Sequence, residues 1–396
     1  MHAPIARAIT ARAVRGLPLT LAFPDGSTWG AGGPRLELTD PDAFFARLGR
    51  DGLIGFGEAW MTGALTAGGW RPGSRPGSGE TDVRVLNEST DELAAALTVL
   101  ATRMAALVPR PLQRLRSGWQ HRPPAAEANT PDGARENIHR HYDLSNEMFE
   151  LFLDPSLTYS AALYPDPELA GLTAVPDPDA GLAEAQLAKI DSVLDLAGVR
   201  AGMQVIEIGS GWGALAIRAA QRGAEVTTLT LSIEQQDLAR KRVAQAGLTD
   251  RIDIRLEDYR THAADHRGNY DAAVSVEMIE AVGEEYWPAY FGAVDQMLRP
   301  GGRFGLQTIT IDHDRLLATR RVHTWIHKYI FPGGQLPSLP AIDDVLLRHT
   351  AMRVLAARRL GHSYVRTLST WRHRFNERAS DAAALGFDET FRRMWT

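Results

Sequence analysis

The stretch VIEIGSGWGALAIRAAQ, residues 205–221, decides the fold of this chain. It opens as a short apolar run, breaks into glycines at 209, 211 and 213, and continues with the spacing of an amphipathic helix. Glycines at such a turn accept unusual φ values and let the backbone approach a ligand closely. The stretch therefore predicts a strand, a ligand-binding loop and a helix, in that order. A tight turn without a ligand is the alternative interpretation.

Strand and helix patterns alternate on both sides of this stretch. The segment GLAEAQLAKIDSVLDLAG precedes it and places Leu187, Ile190 and Leu194 on one helix face. Strand patterns follow in EVTTLTL, IDIRLED, YDAAVSVEMI and RFGLQTITI, with helices between most of them and a turn at RPGG. Such alternation predicts an α/β domain with a doubly wound, Rossmann-like parallel sheet. Ligands of these sheets bind beyond the carboxyl ends of the strands.

The N-terminal part has a different pattern. Residues 1–108 contain the strand-like segments PLTLAF and RLELTD and a helix over STDELAAALTVLATRMAALV, for which Ser89 is the predicted cap. We predict a smaller α+β domain here. Residues 109–133 are rich in Pro, Arg and Ala and are typical of a linker, so that residues 134–396 form the second domain.

Composition excludes several classes of protein. The chain has 396 residues, a net charge of -5 and no cysteine, which excludes disulfides and thiolate metal sites. The negative net charge argues against nucleic acid as a partner. No apolar run reaches the roughly 18 residues of a membrane-spanning helix. His139, His141 and Asp143 stand close together in HRHYD, but their spacing rarely brings three ligands onto one ion, so we expect no metal.

The spacing of the glycines indicates which ligand is bound. Gly209, Gly211 and Gly213 follow Glu207 as G-x-G-x-G, whereas a dinucleotide site requires G-x-G-x-x-G. The observed spacing after an acid is the pattern of S-adenosylmethionine (SAM) sites. The second strand ends in TLTLSIEQQ without the acid that usually binds ribose, so we expect Gln235 to replace it.

Six blocks of sequence, in order, resemble the cyclopropane-fatty-acyl-phospholipid synthases and the mycolic acid methyltransferases. They are HYDLSNEMFELFLDPSLTYSAALY, EIGSGWG, TLSIEQQ, SVEMIEAVG, WIHKYIFPGG and GHSYVRTLSTW. The resemblance covers residues from about 134 to the end and implies a class I SAM-dependent methyltransferase domain. The N-terminal part is similar to the smaller lipid-associated domain of that family. The family usually continues beyond the point where this sequence ends, so the chain is expected to lack a C-terminal segment.

The resemblance implies nine residues around SAM. Tyr159 and Ser160 are expected to contact SAM from the segment before the sheet, and Gly209 and Gly211 to lie against its methionine portion. Thr230, Leu231 and Gln235 are expected around the ribose and adenine. Asp258 and Tyr259 are expected near the adenine. Two of these have structural alternatives. Tyr159 is an ordinary core residue in one interpretation, and Asp258 a helix cap.

The resemblance also implies a catalytic group. In that family a bound bicarbonate is the base, held by a cysteine, a glutamate, a histidine, a tyrosine and a backbone group. Glu280 and Tyr364 match the glutamate and the tyrosine, and Ile309 matches the backbone position. The cysteine and histidine positions hold Ala161 and Gln307, so two ligands of the bicarbonate are altered. Gln307 can donate a hydrogen bond but cannot shuttle a proton.

The activity implied is methyl transfer from SAM to the double bond of an unsaturated, oleoyl-type phospholipid chain. The resulting carbocation loses a proton, either after a hydride shift to give a methylene branch or directly to close a cyclopropane ring. Because Ala161 and Gln307 depart from the family pattern, and because SVEMIEAVG and FPGGQLPS resemble the branch that makes precursors of tuberculostearic acid, we favour the methylene product. A non-catalytic lipid- or SAM-binding protein, or a methyltransferase for another substrate, is the alternative.

A phospholipid substrate requires a surface that docks on a membrane. Basic and apolar residues alternate without acids in residues 101–122 and again in RLLATRRVHTWIHKYIFPGG. These stretches predict a peripheral protein on an anionic, cytoplasmic membrane surface. The alternative is a charged linker and a buried lid. We further expect a separate reductase to act on the product, and a homodimer.

Overall fold

The computed structural model describes residues 3–69, 80–107, 124, 145–165 and 181–396. The chain divides into two compact units. The first consists of Met1–Arg122, Val322–Trp325 and Arg372–Thr396, and the second of Pro123–Arg321 and Ile326–Trp371. Apart from Pro124, the predicted linker lies outside the described residues. The last 25 residues belong to the first unit, whereas the sequence pattern had placed them in the second.

The first unit has the predicted α+β composition. Its sheet has the order β2-β1-β3-β4, in which β1 and β3 are parallel and the other pairs antiparallel. The strands are β1 (Thr20–Ala22), β2 (Thr28–Trp29), β3 (Arg35–Leu38) and β4 (Leu65–Ala67). The helices before the second unit are α1 (Ala3–Val14), α2 (Pro41–Asp51), α3 (Leu53–Met61) and α4 (Glu80–Leu107).

Ser89 does not cap a helix, contrary to the prediction. Helix α4 already begins at Glu80, and Ser89 lies within it, fully buried. Its hydroxyl donates to the carbonyl of Ala67 at the end of β4, over 2.7 Å. A Cβ on Gly68 would come within 2.6 Å of the Ser89 Cα. The glycine at 68 and the small side chain of Ser89 therefore allow α4 to pack closely against the end of β4.

The C-terminal segment completes the first unit through one buried arginine. Arg393 lies in the helix Glu389–Trp395 and is 1% exposed. Its Nε donates to the Trp60 carbonyl over 2.9 Å, and Trp60 Nε1 donates to the Arg393 carbonyl over 2.7 Å. The guanidinium carbon also lies 4.7 Å from the centre of the Trp60 ring, within the range of a cation–π contact.

The second unit contains the predicted doubly wound sheet. Five strands, all parallel, have the order β7-β6-β5-β8-β9, so the strand order reverses between β5 and β8. They are β5 (Gln204–Ile208), β6 (Glu225–Thr230), β7 (Ile252–Leu256), β8 (Tyr270–Val276) and β9 (Leu298–Gln307). A reversal of this kind leaves a crevice at the carboxyl ends of the two central strands, where ligands bind.

Helices precede, separate and follow these strands along the chain. In order, with the first and last residues of each, they are α5 (Asn146–Glu150), α6 (Leu182–Leu196), α7 (Ala214–Gln221), α8 (Ile233–Gln245), α9 (Tyr259–Asp265), α10 (Trp287–Met297), α11 (His313–Thr319), α12 (Trp325–Tyr329), α13 (Leu339–His349) and α14 (Gly361–Glu377). Apolar clusters pack on the sheet, one including Ile206 and Tyr290 and the other Val205 and Leu215. Burial of the sheet on both faces explains why the central strand β8 is largely apolar and buried.

Two local predictions for this unit were wrong. Leu187 is 43% exposed, while Ile190 and Leu194 are buried as expected, so α6 packs through a face that excludes Leu187. The RPGG segment lies inside β9 rather than before it, and an irregularity between Tyr270 and Ala272 adjusts the register of the neighbouring strand. Within the described parts of the chain, no helix is both long enough and apolar enough to cross a membrane.

Candidate active site

A cavity of about 200 Å³ lies at the carboxyl ends of β5, β6, β7 and β8. All nine residues predicted to surround SAM line it: Tyr159, Ser160, Gly209, Gly211, Thr230, Leu231, Gln235, Asp258 and Tyr259. They come from segments as far apart as residues 159 and 259, and the parallel sheet brings them together because its strands end at one edge.

The glycine loop forms the wall of this cavity after β5. Gly209, Gly211 and Gly213 have φ values of +94°, +48° and +86°, a region that residues with a side chain rarely adopt. The amides of Gly209 and Ser210 both donate to the Leu229 carbonyl over 3.0 Å, which fixes the loop to β6. A Cβ on Gly209 would lie 3.3 Å from the Met278 side chain, so the turn requires glycine for its conformation and leaves little space for a side chain.

Two buried charged residues line the cavity near this loop. Glu207 Oε2 accepts a hydrogen bond from the Thr228 hydroxyl over 2.6 Å, and Lys189 Nζ donates to the Ser160 hydroxyl over 2.5 Å. Burial raises the pKa of Glu207 to about 8 and lowers the pKa of Lys189 to about 8. Coulombic attraction between the two opposes both shifts. Both side chains therefore present buried polar groups to the cavity.

The end of β6 replaces the missing acid with neutral side chains. Gln235 Oε1 accepts from the Thr230 hydroxyl over 2.9 Å, and Ser232 caps α8 by accepting from the Gln235 amide over 3.1 Å. The side-chain amide of a glutamine held through its oxygen still carries two N–H donors. This arrangement fits a ligand hydroxyl, and the role of Gln235 toward ribose stays a prediction.

Asp258 and Tyr159 each have structural contacts and also line the cavity, so the structural and the ligand-binding interpretation both apply to them. Asp258 caps α9 by accepting from the Arg260 amide over 2.8 Å and pairs with its guanidinium over 2.6 Å, yet it also lines the cavity. Tyr159 packs among aromatic rings, with centroids 5.3 Å from Phe149 and 5.2 Å from Trp371. Both residues are therefore structural, and both are placed to contact a ligand.

Glu280 and Ile309 meet at the neighbouring end of the sheet. Glu280 Oε1 accepts from the Ile309 amide over 2.5 Å and from the Thr308 hydroxyl over 2.8 Å. Its Oε2 is buried and has no hydrogen-bond partner among the described residues. Burial, together with the nearby Glu277 carboxylate, raises the pKa of Glu280 to about 7. A carboxylate with such a pKa can hold or release a proton near neutral pH.

Gln307 is held by a residue that the sequence had not indicated. Its Nε2 donates to Oε1 of Glu277 and to the Ala161 carbonyl, each over 3.0 Å. The Ala161 amide donates to the same Oε1 over 2.9 Å. Glu277 directly follows β8 and has a φ of +46°, unusual for a residue other than glycine. An acid at the carboxyl end of a central strand was the available signal.

Tyr364 completes the group. It lies in α14, half-buried, and burial raises its pKa, with a further contribution from the negative charges of Glu277 and Glu280. None of the four predicted catalytic residues lines this cavity, but Glu277 does. Glu277 therefore connects the cavity with Gln307, one of the four predicted catalytic residues.

His139, His141 and Asp143 lie outside the described residues. In the ranges that the structure does describe, no group of three or more His, Asp or Glu side chains could hold a metal ion. The polar groups at the site are amides, hydroxyls and carboxylates around an apolar-walled cavity, which fit an organic cofactor.

Comparison with known proteins identifies the family. Residues 129–396 match the family described as Mycolic acid cyclopropane synthetase. The chain belongs to this family. It is 48% identical over 397 residues to the Tuberculostearic acid methyltransferase UfaA1 of Mycobacterium tuberculosis (strain ATCC 25618 / H37Rv), with 99% of this chain and 86% of the relative covered.

Two further members of the cyclopropane synthetase family extend the comparison. The Cyclopropane-fatty-acyl-phospholipid synthase of Escherichia coli (strain K12) is 36% identical over 257 residues, covering 65% of this chain and 60% of that protein. The crystal structure of the mycolic acid cyclopropane synthase CmaA1 complexed with SAH and CTAB has a TM-score of 0.56 and 30% identity, covering 66% of this chain and 90% of that chain. The chain is accordingly a SAM-dependent methyltransferase, as predicted.

Proposed function

We propose that this protein transfers a methyl group from SAM to the double bond of an oleoyl-type phospholipid chain and releases a methylene-branched chain. The observation that carries the proposal is the position of two carboxylates, Glu277 and Glu280, beside the SAM cavity at the carboxyl ends of β8 and β9. Glu277 lines the cavity, and Glu280 has a buried oxygen for which the described part of the chain offers no hydrogen-bond partner.

Carboxylates suit this reaction for a chemical reason. SAM supplies an electrophilic methyl group, and an isolated alkene is a weak nucleophile that must be held in line with it. Transfer of the methyl group leaves a positive charge on the chain, which negative side chains in a dry site stabilise. One proton must then leave the chain, and a carboxylate with a raised pKa can accept it.

Support for the methylene product comes from the altered residues. If the proton is removed late, a hydride first moves from the methylated carbon to its neighbour, and loss of a proton from the new methyl group gives C=CH2. Ala161 and Gln307 stand where the family has a cysteine and a histidine, and neither can act as a base. The 48% identity to a protein named Tuberculostearic acid methyltransferase favours the same branch. A separate reductase would then add two electrons and two protons to the methylene product.

Ring closure is the second candidate product. It is favoured by Glu280, Tyr364 and Ile309, which match three of the family's positions in sequence. The two products have equal mass and differ only in whether an alkene remains.

Exposed residues near α11 and α12 support docking on an anionic membrane surface and hence a peripheral, cytoplasmic location. Leu317, Ile326 and Phe331 are 49%, 51% and 41% exposed, and Arg315 and Arg321 are also exposed. Apolar side chains that enter the interface and basic ones that meet lipid phosphates are the usual combination. Trp325 does not belong to this surface, because its Nε1 contacts Met61 Sδ over 3.3 Å in the first unit.

The test is an assay on liposomes of dioleoyl phosphatidylglycerol with purified protein and SAM. The lipid is hydrolysed and its acyl chains are identified by mass spectrometry after derivatisation of double bonds, with SAM omitted in the control. A gain of one CH2 with the alkene retained supports the proposal, and the same gain without an alkene supports ring closure. Unchanged chains, with SAM binding shown by calorimetry, would leave a lipid- and SAM-binding protein or a methyltransferase for another substrate.

A further inference from the structure

The two altered positions of the family's bicarbonate site converge on one carboxylate. The Ala161 amide and Gln307 Nε2 both donate to Oε1 of Glu277, over 2.9 and 3.0 Å. The Glu277 amide in turn donates to the Gln307 carbonyl over 2.8 Å, which continues the pairing of β8 and β9 by one residue. Glu277 is thus fixed by both its main chain and its side chain.

The backbone conformation of Glu277 indicates a functional role for this residue. Its φ of +46° is one of only two positive values at residues other than glycine in the described parts of the chain. A strained backbone persists when surrounding contacts hold it, and such residues cluster at functional sites. Here the strain accompanies a carboxylate that reaches Ala161 and Gln307.

These residues do not fit a bound bicarbonate. A second anion would have to share the donors that Glu277 already uses, and it would meet the repulsion of Glu277 and Glu280 in a poorly hydrated site. The side chains that should replace a cysteine and a histidine contribute no positive charge to offset this repulsion.

We propose that the Glu277 carboxylate takes the place of bicarbonate, so that the base of this reaction is part of the protein and turnover needs no external anion. The inference rests on the proposed function. The π electrons of the alkene form a bond to the methyl group as its bond to the sulfur of SAM breaks and SAH leaves. A hydride then moves from the methylated carbon to the neighbouring cationic carbon. A C–H bond of the new methyl group then breaks, its electron pair forms the C=CH2 bond, and its proton passes to Glu277.

The environment of Glu277 is suited to this role. Burial raises the pKa of its carboxyl group, while the hydrogen bonds from Gln307 and Ala161 lower it. A carboxylate near the SAM cavity with these opposing influences can accept a proton and release it later.

The test compares the full-length wild type with Glu277→Gly and Glu277→Gln in buffers depleted of carbon dioxide, with and without added bicarbonate. Glycine suits the φ of +46°, so Glu277→Gly is expected to fold.

The turnover rate of the wild type should change less than about 2-fold when bicarbonate is added. The turnover rate of Glu277→Gly should be about 100-fold below that of the wild type without bicarbonate, and should recover at least about 10-fold when bicarbonate is added. Glu277→Gln should be inactive and not rescued, because the amide fills the space without accepting a proton. Glu285→Gln, an exposed carboxylate nearby, serves as the control that keeps wild-type turnover.

A second measurement separates this inference from the proposed function. Binding of ¹³C-bicarbonate, followed by NMR in the presence of SAH, requires no turnover. We expect binding to Glu277→Gly and none to the wild type. Wild type that binds bicarbonate as well as Glu277→Gly does, or Glu277→Gly that keeps full turnover in depleted buffer, overturns the inference. A wild type that excludes bicarbonate but leaves oleoyl chains unchanged overturns only the proposed substrate.

Discussion

Gln307 and Glu277 bind each other twice, once through the backbone and once through the side chains. The Glu277 amide donates to the Gln307 carbonyl over 2.8 Å, and Gln307 Nε2 donates to Glu277 Oε1 over 3.0 Å. A hydrogen bond to an ionised group is stronger than one between neutral groups. The neutral glutamine thereby orients the Glu277 carboxyl group beside the cavity.

Replacing Gln307 by methionine should lower kcat about 10- to 100-fold, because it removes one donor to the Glu277 carboxylate at a cost of about 1.5 to 3 kcal/mol. SAM affinity should change less than about 2-fold, since Gln307 does not line the cavity and only cavity contacts bind the cofactor. Steady-state kinetics and calorimetry measure the two effects. Gln296→Met is the matched control, because Gln296 also donates to a carbonyl, that of Ala263 over 2.9 Å, away from the site. An unchanged kcat for Gln307→Met would contradict the orienting role.

Replacing Gln235 by alanine should weaken SAM binding by about 10-fold, the effect expected for the loss of one buried hydrogen bond to a ligand. Gln235 is buried, lines the cavity and is fixed by Thr230. The Kd is measured by calorimetry. Gln245→Ala, at the exposed end of the same helix, should leave the Kd unchanged. Equal affinities of the two variants would mean that the ribose is held by other residues.

That the nine residues predicted around SAM line one cavity could be expected, because the topology determines where they lie. A glycine loop after the first strand and polar residues after the next strands must meet at one edge of a parallel sheet. Glu277 could not be predicted in the same way. Its role depends on Ala161, which lies 116 residues away in sequence, and on Gln307, 30 residues away. Neither local spacing nor periodicity carries such a contact.

The domain boundary could not be predicted for a related reason. Arg393 contacts Trp60 across 333 residues, and its segment has an ordinary amphipathic pattern that fits either unit. The exposed position of Leu187 likewise depends on which face of α6 the sheet covers. The position of the C-terminal segment and the exposure of Leu187 both depend on tertiary packing.

Replacing Arg393 by methionine should destabilise the first unit by about 2 to 4 kcal/mol, because the Trp60 and Leu65 carbonyls lose a buried donor. Denaturant unfolding measures the loss, and hydrogen exchange should locate it in α3 and β4. Arg353→Met, an exposed arginine that also donates to backbone carbonyls, is the control and should change stability by less than about 0.5 kcal/mol. Loss of protection confined to the second unit would contradict the assignment of the C-terminal segment to the first.

Replacing Glu280 by glutamine should stabilise the protein more at pH 8 than at pH 5. The pKa of Glu280 is raised from 4.5 to about 7 in the folded protein, so folding favours the protonated form. The stability contributed by that form is complete below pH 4.5, is lost as the pH rises toward 7, and then stays lost. Glutamine keeps an oxygen that accepts from Ile309 and Thr308 and has no charge to lose.

The free energy of unfolding of Glu280→Gln, relative to wild type, should therefore increase between pH 5 and pH 8 by at most about 3 kcal/mol. Urea unfolding at both pH values measures this difference. Glu285→Gln replaces an exposed carboxylate in the same segment and serves as the control. If Glu280→Gln behaved in the same way as Glu285→Gln, the Glu280 carboxyl would ionise as it does in water. Its buried oxygen would then have to be hydrated, and it could not hold a proton at neutral pH for the reaction.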